Sequence, residues 1–185
     1  GSEIDGEAAG DASGRSVSMN SAGDRVAIGA LYNDGTDSNA GHVRVYSLAT
    51  PVQTTFTEHA ISTSADGAKS VYAVDVDGDG DMDVLSANYI GGKIAWYEND
   101  GSQNFTTHII DTTATTASSV YAVDVDGDGD MDVLSAIPAD DKIAWYENDG
   151  SQNFTTHIIT TSADYPLSVY AVDVDGDGDM DVLSA

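Results

Sequence analysis

Short runs of β-prone residues, rather than helical patterns, organise this chain. Val71–Val74 and Asp83–Ala87 lie on either side of an acidic loop, while Lys93–Glu98 and Phe105–Ile110 flank a turn at residues 99–101. Such runs bounded by turn residues are typical of strands joined by hairpins. No segment shows the period of an amphipathic helix. The pattern therefore predicts units of four short antiparallel strands.

This four-strand pattern repeats along the chain. The string SVYAVDVDGDGDMDVLSA begins at Ser70, Ser119 and Ser168, which gives a period of 49 residues. The string KIAWYENDGSQNFTTHII at Lys93 returns unchanged at Lys142, and the segments between copies vary freely, as loops do. Four strands per repeat match a β-propeller blade better than an immunoglobulin-type sandwich, which would not repeat internally, or a β-helix, whose rungs are shorter.

The predicted fold is all-β, built from β-propeller blades of four antiparallel strands, with about three and a half blades in this chain. Residues 16–69 contain a diverged blade whose strands we place at Ser16–Met19, Arg25–Ala30, His42–Ser47 and Thr54–Ile61. Its acidic loop has shrunk to residues 20–24, so we expect no metal there. An extension (1–15) precedes it. Two blades with acidic loops (70–118 and 119–167) and a half blade with a third such loop (168–185) follow.

The acidic loops carry the strongest chemical signal. Carboxylates occupy positions 1, 3, 5, 7 and 9 of each loop, and the intervening glycines allow the tight curvature that turns alternate oxygens inward. A hard cation with about six to eight oxygen ligands suits this array, which predicts Ca²⁺. The candidate metal residues are Asp75, Asp77, Asp79, Asp81, Asp83, Asp124, Asp126, Asp128, Asp130, Asp132, Asp173, Asp175, Asp177, Asp179 and Asp181.

Within the first loop, the ligand roles are expected to differ. We expect side-chain oxygens from Asp75, Asp77, Asp79 and Asp83, the backbone carbonyl of residue 81, and a water molecule. An EF-hand loop begins in the same way, but it needs a glutamate at position 12 and flanking helices, whereas Ser86 stands at that position between strands. A solvated acidic turn without metal is disfavoured, because five carboxylates within nine residues repel one another strongly.

Composition narrows the classes of partner. The chain has 32 acidic and 6 basic residues, for a formal charge of −26, and nucleic-acid binding needs clustered Lys and Arg. A hydrophobic fraction of 41% is nevertheless enough to form a core. There is no cysteine for disulfides or thiolate metal sites. No apolar run approaches the roughly 20 residues that span a bilayer. We therefore expect neither nucleic-acid binding nor membrane insertion.

The repeat resembles a known family. DVDGDGDMDVLSA followed by KIAWYEND looks like the FG-GAP or VCBS repeat, the blade of integrin α-subunit propellers and of many large bacterial surface proteins. Residues 14–30 and 41–46 are also similar to an FG-GAP blade. The resemblance implies calcium between two inner strands of a blade and an adhesive or scaffold role. The family usually closes rings of about seven blades, whereas this chain holds about three and a half.

Three further sets of residues recur at the blade period. The histidines are expected to pack structurally rather than bind metal, because each stands alone on its blade. The Trp-Tyr pairs are expected to pack between blades, with a sugar-stacking face as the alternative. The two Asn-Phe-Thr sequons follow a turn and are therefore expected to be exposed. Whether they are glycosylated depends on the source organism. These residues are His59, His108, His157, Trp96, Tyr97, Trp145, Tyr146, Asn104 and Asn153.

Together these features predict a non-catalytic, extracellular, calcium-binding repeat protein that acts as a structural or adhesive scaffold at a cell surface, with a surface protein or glycan as its ligand. The alternatives are a carbohydrate-binding propeller and the propeller part of a polysaccharide-degrading enzyme. Because the sequence stops at Ala185, after two strands of the fourth repeat, we also expect copies to complete one another by strand pairing, as a closed ring or a head-to-tail filament.

Overall fold

The chain forms antiparallel sheets that follow one another in sequence order. A computed structural model describes residues 13–19, 25–30, 42–48 and 56–185. In these residues, three sheets have four strands and one has two, and within each sheet the strands pair in sequence order. The helical structure in the described residues is a single 3₁₀ turn at Pro138–Asp140. The prediction of all-β propeller blades is confirmed. Within the described part of the chain, no helix has the length and apolar character needed to cross a membrane.

The strands group into three full blades and a two-stranded fourth unit. Blade 1 comprises β1 (Ser13–Met19), β2 (Arg25–Ala30), β3 (His42–Leu48) and β4 (Phe56–Ser62). Blade 2 comprises β5 (Ala68–Val74), β6 (Asp83–Asn88), β7 (Lys93–Asn99) and β8 (Phe105–Asp111). Blade 3 comprises β9 (Ser119–Val123), β10 (Asp132–Ile137), β11 (Lys142–Asn148) and β12 (Phe154–Thr160). Unit 4 comprises β13 (Val169–Val172) and β14 (Asp181–Ser184).

The observed strands extend the predicted ones at their ends. β5 begins at Ala68 rather than Val71, and β1 begins at Ser13, inside the segment expected to be an extension. Both strands contain an irregularity in register near this end, between Ser13 and Ser16 and between Ala68 and Ser70. Bulges of this kind interrupt the alternation of side chains, which is the signal used to find a strand in sequence. The shortened loop at residues 20–24 lies outside the described residues.

Blades 2 and 3 are each covered by a neighbouring sheet on both faces. One apolar cluster joins blades 1 and 2, a second joins blades 2 and 3, and a third joins blade 3 and unit 4. All six residues of β6, and likewise of β10, are buried. Between blades 2 and 3, Leu85 and Trp96 pack in one cluster with Val133 and Tyr146. A hydrogen bond from the Tyr146 hydroxyl to Asp111 Oδ2, 2.8 Å long, also crosses this interface.

The first strands of successive blades are linked by serine hydroxyls rather than by a backbone ladder. Ser16 Oγ accepts a hydrogen bond from the Val71 amide at 2.6 Å. Ser70 Oγ accepts one from the Val120 amide at 3.2 Å, and Ser119 Oγ accepts one from the Val169 amide at 3.2 Å. The repeated bond sets β1, β5, β9 and β13 side by side. The acidic loops that follow β5, β9 and β13 therefore emerge at the same end of the stack.

The stability of the stack should depend on burial between blades. Leu85 and Leu183 occupy the same repeat position, opposite Tyr72 and Tyr170, but Leu85 is 0% exposed and Leu183 is 42% exposed. We expect Leu85→Ala to lower the free energy of unfolding by about 2 to 5 kcal/mol, and Leu183→Ala to lower it by less than about 1 kcal/mol. Urea unfolding of both variants measures the difference. Equal losses would contradict the packing described.

Candidate metal centres

The acidic loops connect the first and second strands of blades 2 and 3 and the two strands of unit 4. Each begins directly after the first strand and ends on the first residue of the second strand, which is Asp83, Asp132 or Asp181. In the first loop, Val74 and Asp83 are paired across the two strands. The strand ladder therefore holds both ends of a loop that has to reverse the chain within a few residues.

In each loop, three of the five aspartates bring carboxylate oxygens together. One oxygen from each member of the group lies within 4.8 Å of the others. Ligands on opposite sides of Ca²⁺, at about 2.3 to 2.6 Å from it, are separated by about 5 Å. The oxygen-only donor set and its spacing therefore fit a hard cation. The groups are Asp75, Asp77 and Asp83; Asp124, Asp126 and Asp132; and Asp173, Asp175 and Asp181.

The first aspartate of each loop organises the backbone. Asp75 Oδ1 accepts a hydrogen bond from the Gly78 amide at 2.8 Å, and its Oδ2 accepts one from the Gly80 amide at 3.0 Å. Both glycines have positive φ, 75° and 95°, and an added Cβ would meet open space at either. The backbone conformation, and not a steric collision, is what favours glycine here. The same two bonds recur in the second and third loops.

The last aspartate of the first loop is fixed from two directions. Asp83 is 0% exposed; its Oδ2 accepts a hydrogen bond from the Val76 amide at 3.1 Å, and its Oδ1 accepts one from the Asn99 amide at 2.8 Å. Burial raises the pKa of Asp83 to about 6, because desolvation outweighs the two amide donors. Asp132 has the equivalent bonds, and burial likewise raises its pKa. A bound cation would favour the charged forms of both side chains.

An indole lies beside each of these buried carboxylates. Trp96 is 1% exposed, and its Nε1 has no hydrogen-bond partner. The indole is nevertheless close enough to Asp83 to lower the pKa of that carboxyl slightly against the larger effect of burial. Trp145 and Asp132 repeat the arrangement. The contact is therefore electrostatic, without hydrogen-bond geometry.

The recurring histidines pack on these indoles. His108 stacks on Trp96 with ring centroids 4.4 Å apart, and its Nε2 lies 2.7 Å from Glu98 Oε2. His157, Trp145 and Glu147 form the same group in blade 3. The expected structural packing of these two histidines is confirmed. In blade 2, Trp96 is paired with His108 across the two strands. In blade 1, the residue paired with His59 is Val45, so His59 has no indole opposite it.

The other two carboxylates of each loop are not part of the three-oxygen group. Asp79 Oδ1 accepts a hydrogen bond from the Asp81 amide at 2.8 Å. The carboxylate of Asp81 lies against the β7–β8 turn, where a side chain at Gly101 would collide with it. Asp130 and Gly150 repeat this contact, and Asp128 Oδ1 likewise accepts from the Asp130 amide. The expected ligand roles of residues 79 and 81, and of their counterparts in the other loops (Asp128, Asp130, Asp177 and Asp179), stay predictions.

One contributor to the site was not expected from the sequence. Asn99, 1% exposed, donates from its backbone to Asp83 and from its side-chain Nδ2 to the Met82 carbonyl at 3.1 Å, and its Oδ1 accepts the Gln103 amide at 3.1 Å. It thereby ties the loop to the β7–β8 turn. Asn148 makes the first two contacts in blade 3. The sequence feature that could have indicated this role is the Tyr-Glu-Asn-Asp string, which is identical in both blades but by itself indicates only the start of a turn.

The burial of the Trp-Tyr pairs and of the two sequon asparagines can be compared with the expectations from the sequence. Trp96, Tyr97 and Tyr146 are at most 1% exposed, which confirms packing between blades and removes them as sugar-stacking faces. Trp145 is partly buried against the third apolar cluster. Asn104 is exposed, and its Nδ2 donates to Asp100 Oδ2 at 2.7 Å. Asn153 is also exposed and is bonded to Asp149 in the same way.

The family is shown by a sequence comparison. A family model described as an FG-GAP-like repeat matches residues 24–86, 75–135 and 124–184. The chain belongs to the FG-GAP-like repeat family. The second match, for example, begins at the first acidic loop and ends in β10, just after the second acidic loop. A sequence repeat of the family therefore begins within one structural blade and ends within the next. The resemblance inferred from the residues is thereby confirmed. No curated protein matches the chain.

Three solved structures with similar folds come from bacteria. The FG-GAP-like chain is similar to a putative 6-phosphogluconolactonase from Bacteroides fragilis, with a TM-score of 0.54, 17% identity, and coverage of 84% of this chain and 40% of that one. A protein from Lactobacillus plantarum is similar with a TM-score of 0.52 and 12% identity, over 79% of this chain and 41% of that one. The V. cholerae biofilm matrix protein Bap1 is similar with a TM-score of 0.51 and 22% identity, over 87% of this chain and 24% of that one. The chain therefore spans less than half of each, and these likenesses show the fold alone.

The buried aspartate should make the metal-free FG-GAP-like chain sensitive to pH. The folded pKa of Asp83, about 6, exceeds its ordinary value of 3.8. The stability contributed by the protonated form is therefore fully present below pH 3.8 and is lost as the pH rises through about 6. We expect this group to lower the free energy of unfolding by on the order of 3 kcal/mol between pH 4 and 7.

The test is urea unfolding of the metal-stripped protein across this pH range. Asp83→Asn removes one titrating group and should make the pH profile shallower, with the contribution of Asp132 remaining. Asp164→Asn, a change at an exposed aspartate outside the loops, should leave the profile unchanged. If the wild type and Asp83→Asn show the same profile, the buried carboxyl does not control it.

Proposed function

We propose that this chain is an extracellular, non-catalytic, calcium-binding repeat scaffold. The observation that carries the proposal is the convergence of three carboxylate oxygens within 4.8 Å in each of three successive loops. Carboxylate oxygens are the ligands that Ca²⁺ prefers, and the two glycines with positive φ give each loop the curvature that such a site needs. Three ions per chain, one for each loop, is the proposed stoichiometry.

The net charge of the protein supports a need for bound cations. Fifteen of the 32 acidic residues lie in the three loops, five in each. Opposing carboxylates a few ångströms apart cost on the order of several kcal/mol at the effective dielectric of a protein surface. In each loop, several backbone amides offset part of this repulsion through hydrogen bonds. Divalent ions would neutralise much of the remainder where the charge is densest.

The chemistry of such loops supports an extracellular location. The glycines and Asp79 at the tip of the first loop are exposed, and extracellular calcium modules bind in the range of about 10⁻⁴ to 10⁻³ M. Sites of that affinity fill in millimolar calcium and stay largely empty at cytosolic levels. We therefore place the protein outside the cell, where calcium would keep the blades folded and stacked.

A scaffold role, rather than catalysis, suits the repetition. Blades 2 and 3 have nearly the same sequence and the same contacts, which suits an extended scaffold better than a unique catalytic pocket. Among the solved neighbours, one is named a biofilm matrix protein, which is a role of the proposed class. Another is named a putative lactonase, but a likeness at 17% identity carries no activity to this chain. Adhesion, a surface-protein or glycan ligand, and assembly of copies into a ring or filament stay predictions.

Calcium should stabilise the protein in proportion to its three sites. At 10 mM calcium, a site with a dissociation constant of about 0.1 to 1 mM contributes roughly 1.4 to 2.7 kcal/mol to folding. We therefore expect the thermal midpoint in calcium to exceed that in chelator by many degrees. Differential scanning calorimetry measures the shift. An unchanged midpoint, together with no heat of calcium binding, would overturn the proposal.

Single loops should be removable one at a time. Asp126→Asn takes one charge from the group of three in blade 3, so isothermal titration should show two calcium sites instead of three. The control is Asp164→Asn, which makes the same chemical change at an exposed position outside the loops and should keep all three. Terbium luminescence excited through the indoles provides a second readout, since Trp145 lies beside Asp132. Loss of a site in both variants would indicate a nonspecific charge effect.

A further inference from the structure

Three tyrosines form a continuous aromatic stack that none of the metal chemistry uses. Tyr72, Tyr121 and Tyr170 occupy the same position on β5, β9 and β13. The ring centroids of Tyr72 and Tyr121 are 4.8 Å apart, and those of Tyr121 and Tyr170 are 4.6 Å apart. The planes are tilted by 55° and 49°. We refer to these three side chains as the tyrosine ladder. In blade 1 the same position holds Ser18.

The serine bridges between first strands explain why the ladder forms. The amides of Val71, Val120 and Val169 donate to serine hydroxyls of the preceding first strand, so each tyrosine follows a bridged valine by one position. The bridges hold β5, β9 and β13 in the same relative register. Side chains at one repeat position are thereby brought into ring contact from blade to blade.

The reactive ends of the rings lie together. Successive ring centroids are 4.8 and 4.6 Å apart. Burial and interactions with Tyr170 and Tyr72 raise the pKa of Tyr121, which agrees with phenol groups that lie side by side. The carbons ortho to a phenol oxygen are next to it in the ring, so they share this neighbourhood. Tyr170 is 49% exposed, and Tyr72 and Tyr121 are half-buried, so small oxidants have access to the ladder.

We propose that the tyrosine ladder is a site of oxidative cross-linking, in which Tyr121 and Tyr170 join as dityrosine. A one-electron oxidant of the haem-peroxidase type, supplied with hydrogen peroxide, removes one electron and the phenolic proton from each ring. The two radicals form a carbon–carbon bond between ortho positions, and the two displaced ring hydrogens return to the oxygens. Two phenols and one hydrogen peroxide thus yield one dityrosine and two water molecules. Tyr121 has a second ortho carbon, through which Tyr72 joins in the same way.

Such a bond would give the chain a covalent link between blades, which disulfides cannot provide here. There is no cysteine in the sequence, and so no disulfide can join one blade to the next. A link between Tyr121 and Tyr170 would close a loop of 49 residues and tie blade 3 to unit 4. A constraint on a loop of this length reduces the entropy of the unfolded chain as a disulfide does. The link does not require calcium to be bound.

The matched control is a tyrosine outside the ladder. Tyr165 is 55% exposed, slightly more than Tyr170, and lies in the loop before β13. If exposure alone governed oxidation, both residues would react equally and would couple mainly between molecules. If ring contact governs it, coupling should occur within one chain and through Tyr121.

The experiment treats the purified full chain, at low micromolar concentration, with horseradish peroxidase and hydrogen peroxide, in calcium and separately in chelator. Trypsin cleavage after Lys93 and Lys142 puts Tyr121 and Tyr170 on different peptides, so the link appears as a joined peptide pair lighter by two hydrogen atoms. We expect this pair, with dityrosine fluorescence, on a chain that still migrates as a monomer. Tyr121→Phe, which keeps the ring, should abolish most of the signal, and Tyr165→Phe should not.

The cross-linked protein should also melt at a higher temperature, by roughly 5 to 15 °C, than the treated Tyr121→Phe variant. Coupling only between chains, coupling through Tyr165, or an equal yield from Tyr121→Phe would each overturn the proposal. A protein that binds no calcium but forms the Tyr121–Tyr170 pair would refute the calcium scaffold and leave the ladder intact, so the two proposals fail separately.

Discussion

Every sheet in this protein has two faces to bury, and only the neighbouring blades are available to cover them. The second strands show the constraint most directly, because all residues of β6 and β10 are buried although their side chains point alternately to opposite faces. A strand buried on both sides has to be apolar or internally bonded throughout. Ser86, which lies in β6, meets this requirement by bonding to Asn88 and Tyr97. Stacking in register then brings each loop to the same end of the assembly.

The candidate metal centres of blades 2 and 3 depend on this stacking through one buried aspartate in each blade, Asp83 and Asp132. Asp83 begins β6, where the strand is covered on both sides, and the amides of Val76 and Asn99 hold its carboxylate. Exposed loop residues are brought to this fixed group by the hydrogen bonds that Asp75 accepts from the glycine amides. The buried carboxylate carries an unfavourable desolvation energy, which a bound cation would offset. Unit 4 shows the contrast, since Asp181 is exposed where the sheet has two strands.

The repeat also brings together side chains that have no role in the loops. Identical serine bridges place one tyrosine from each of three units in ring contact, and identical cross-strand pairs place His108 and His157 on indoles. Blade 1 departs at both positions, with Ser18 and Val45 in place of tyrosine and tryptophan. A substitution at one repeat position therefore changes a contact with the next blade as well as the blade that carries it.

The sequence by itself determined the repeat, the four strands of each blade and the identity of the acidic loops. These features are local, since strand propensity, turn residues and alternate carboxylates are all read within about ten residues. Strand ends were predicted less well at Ala68 and Ser13, where bulges break the alternation. Only the tertiary structure decided which three carboxylates of each loop converge, that Asn99 ties the loop to a turn, and that three tyrosines 49 residues apart touch. Those outcomes depend on how blades stack, and contacts between blades leave no pattern within a single repeat.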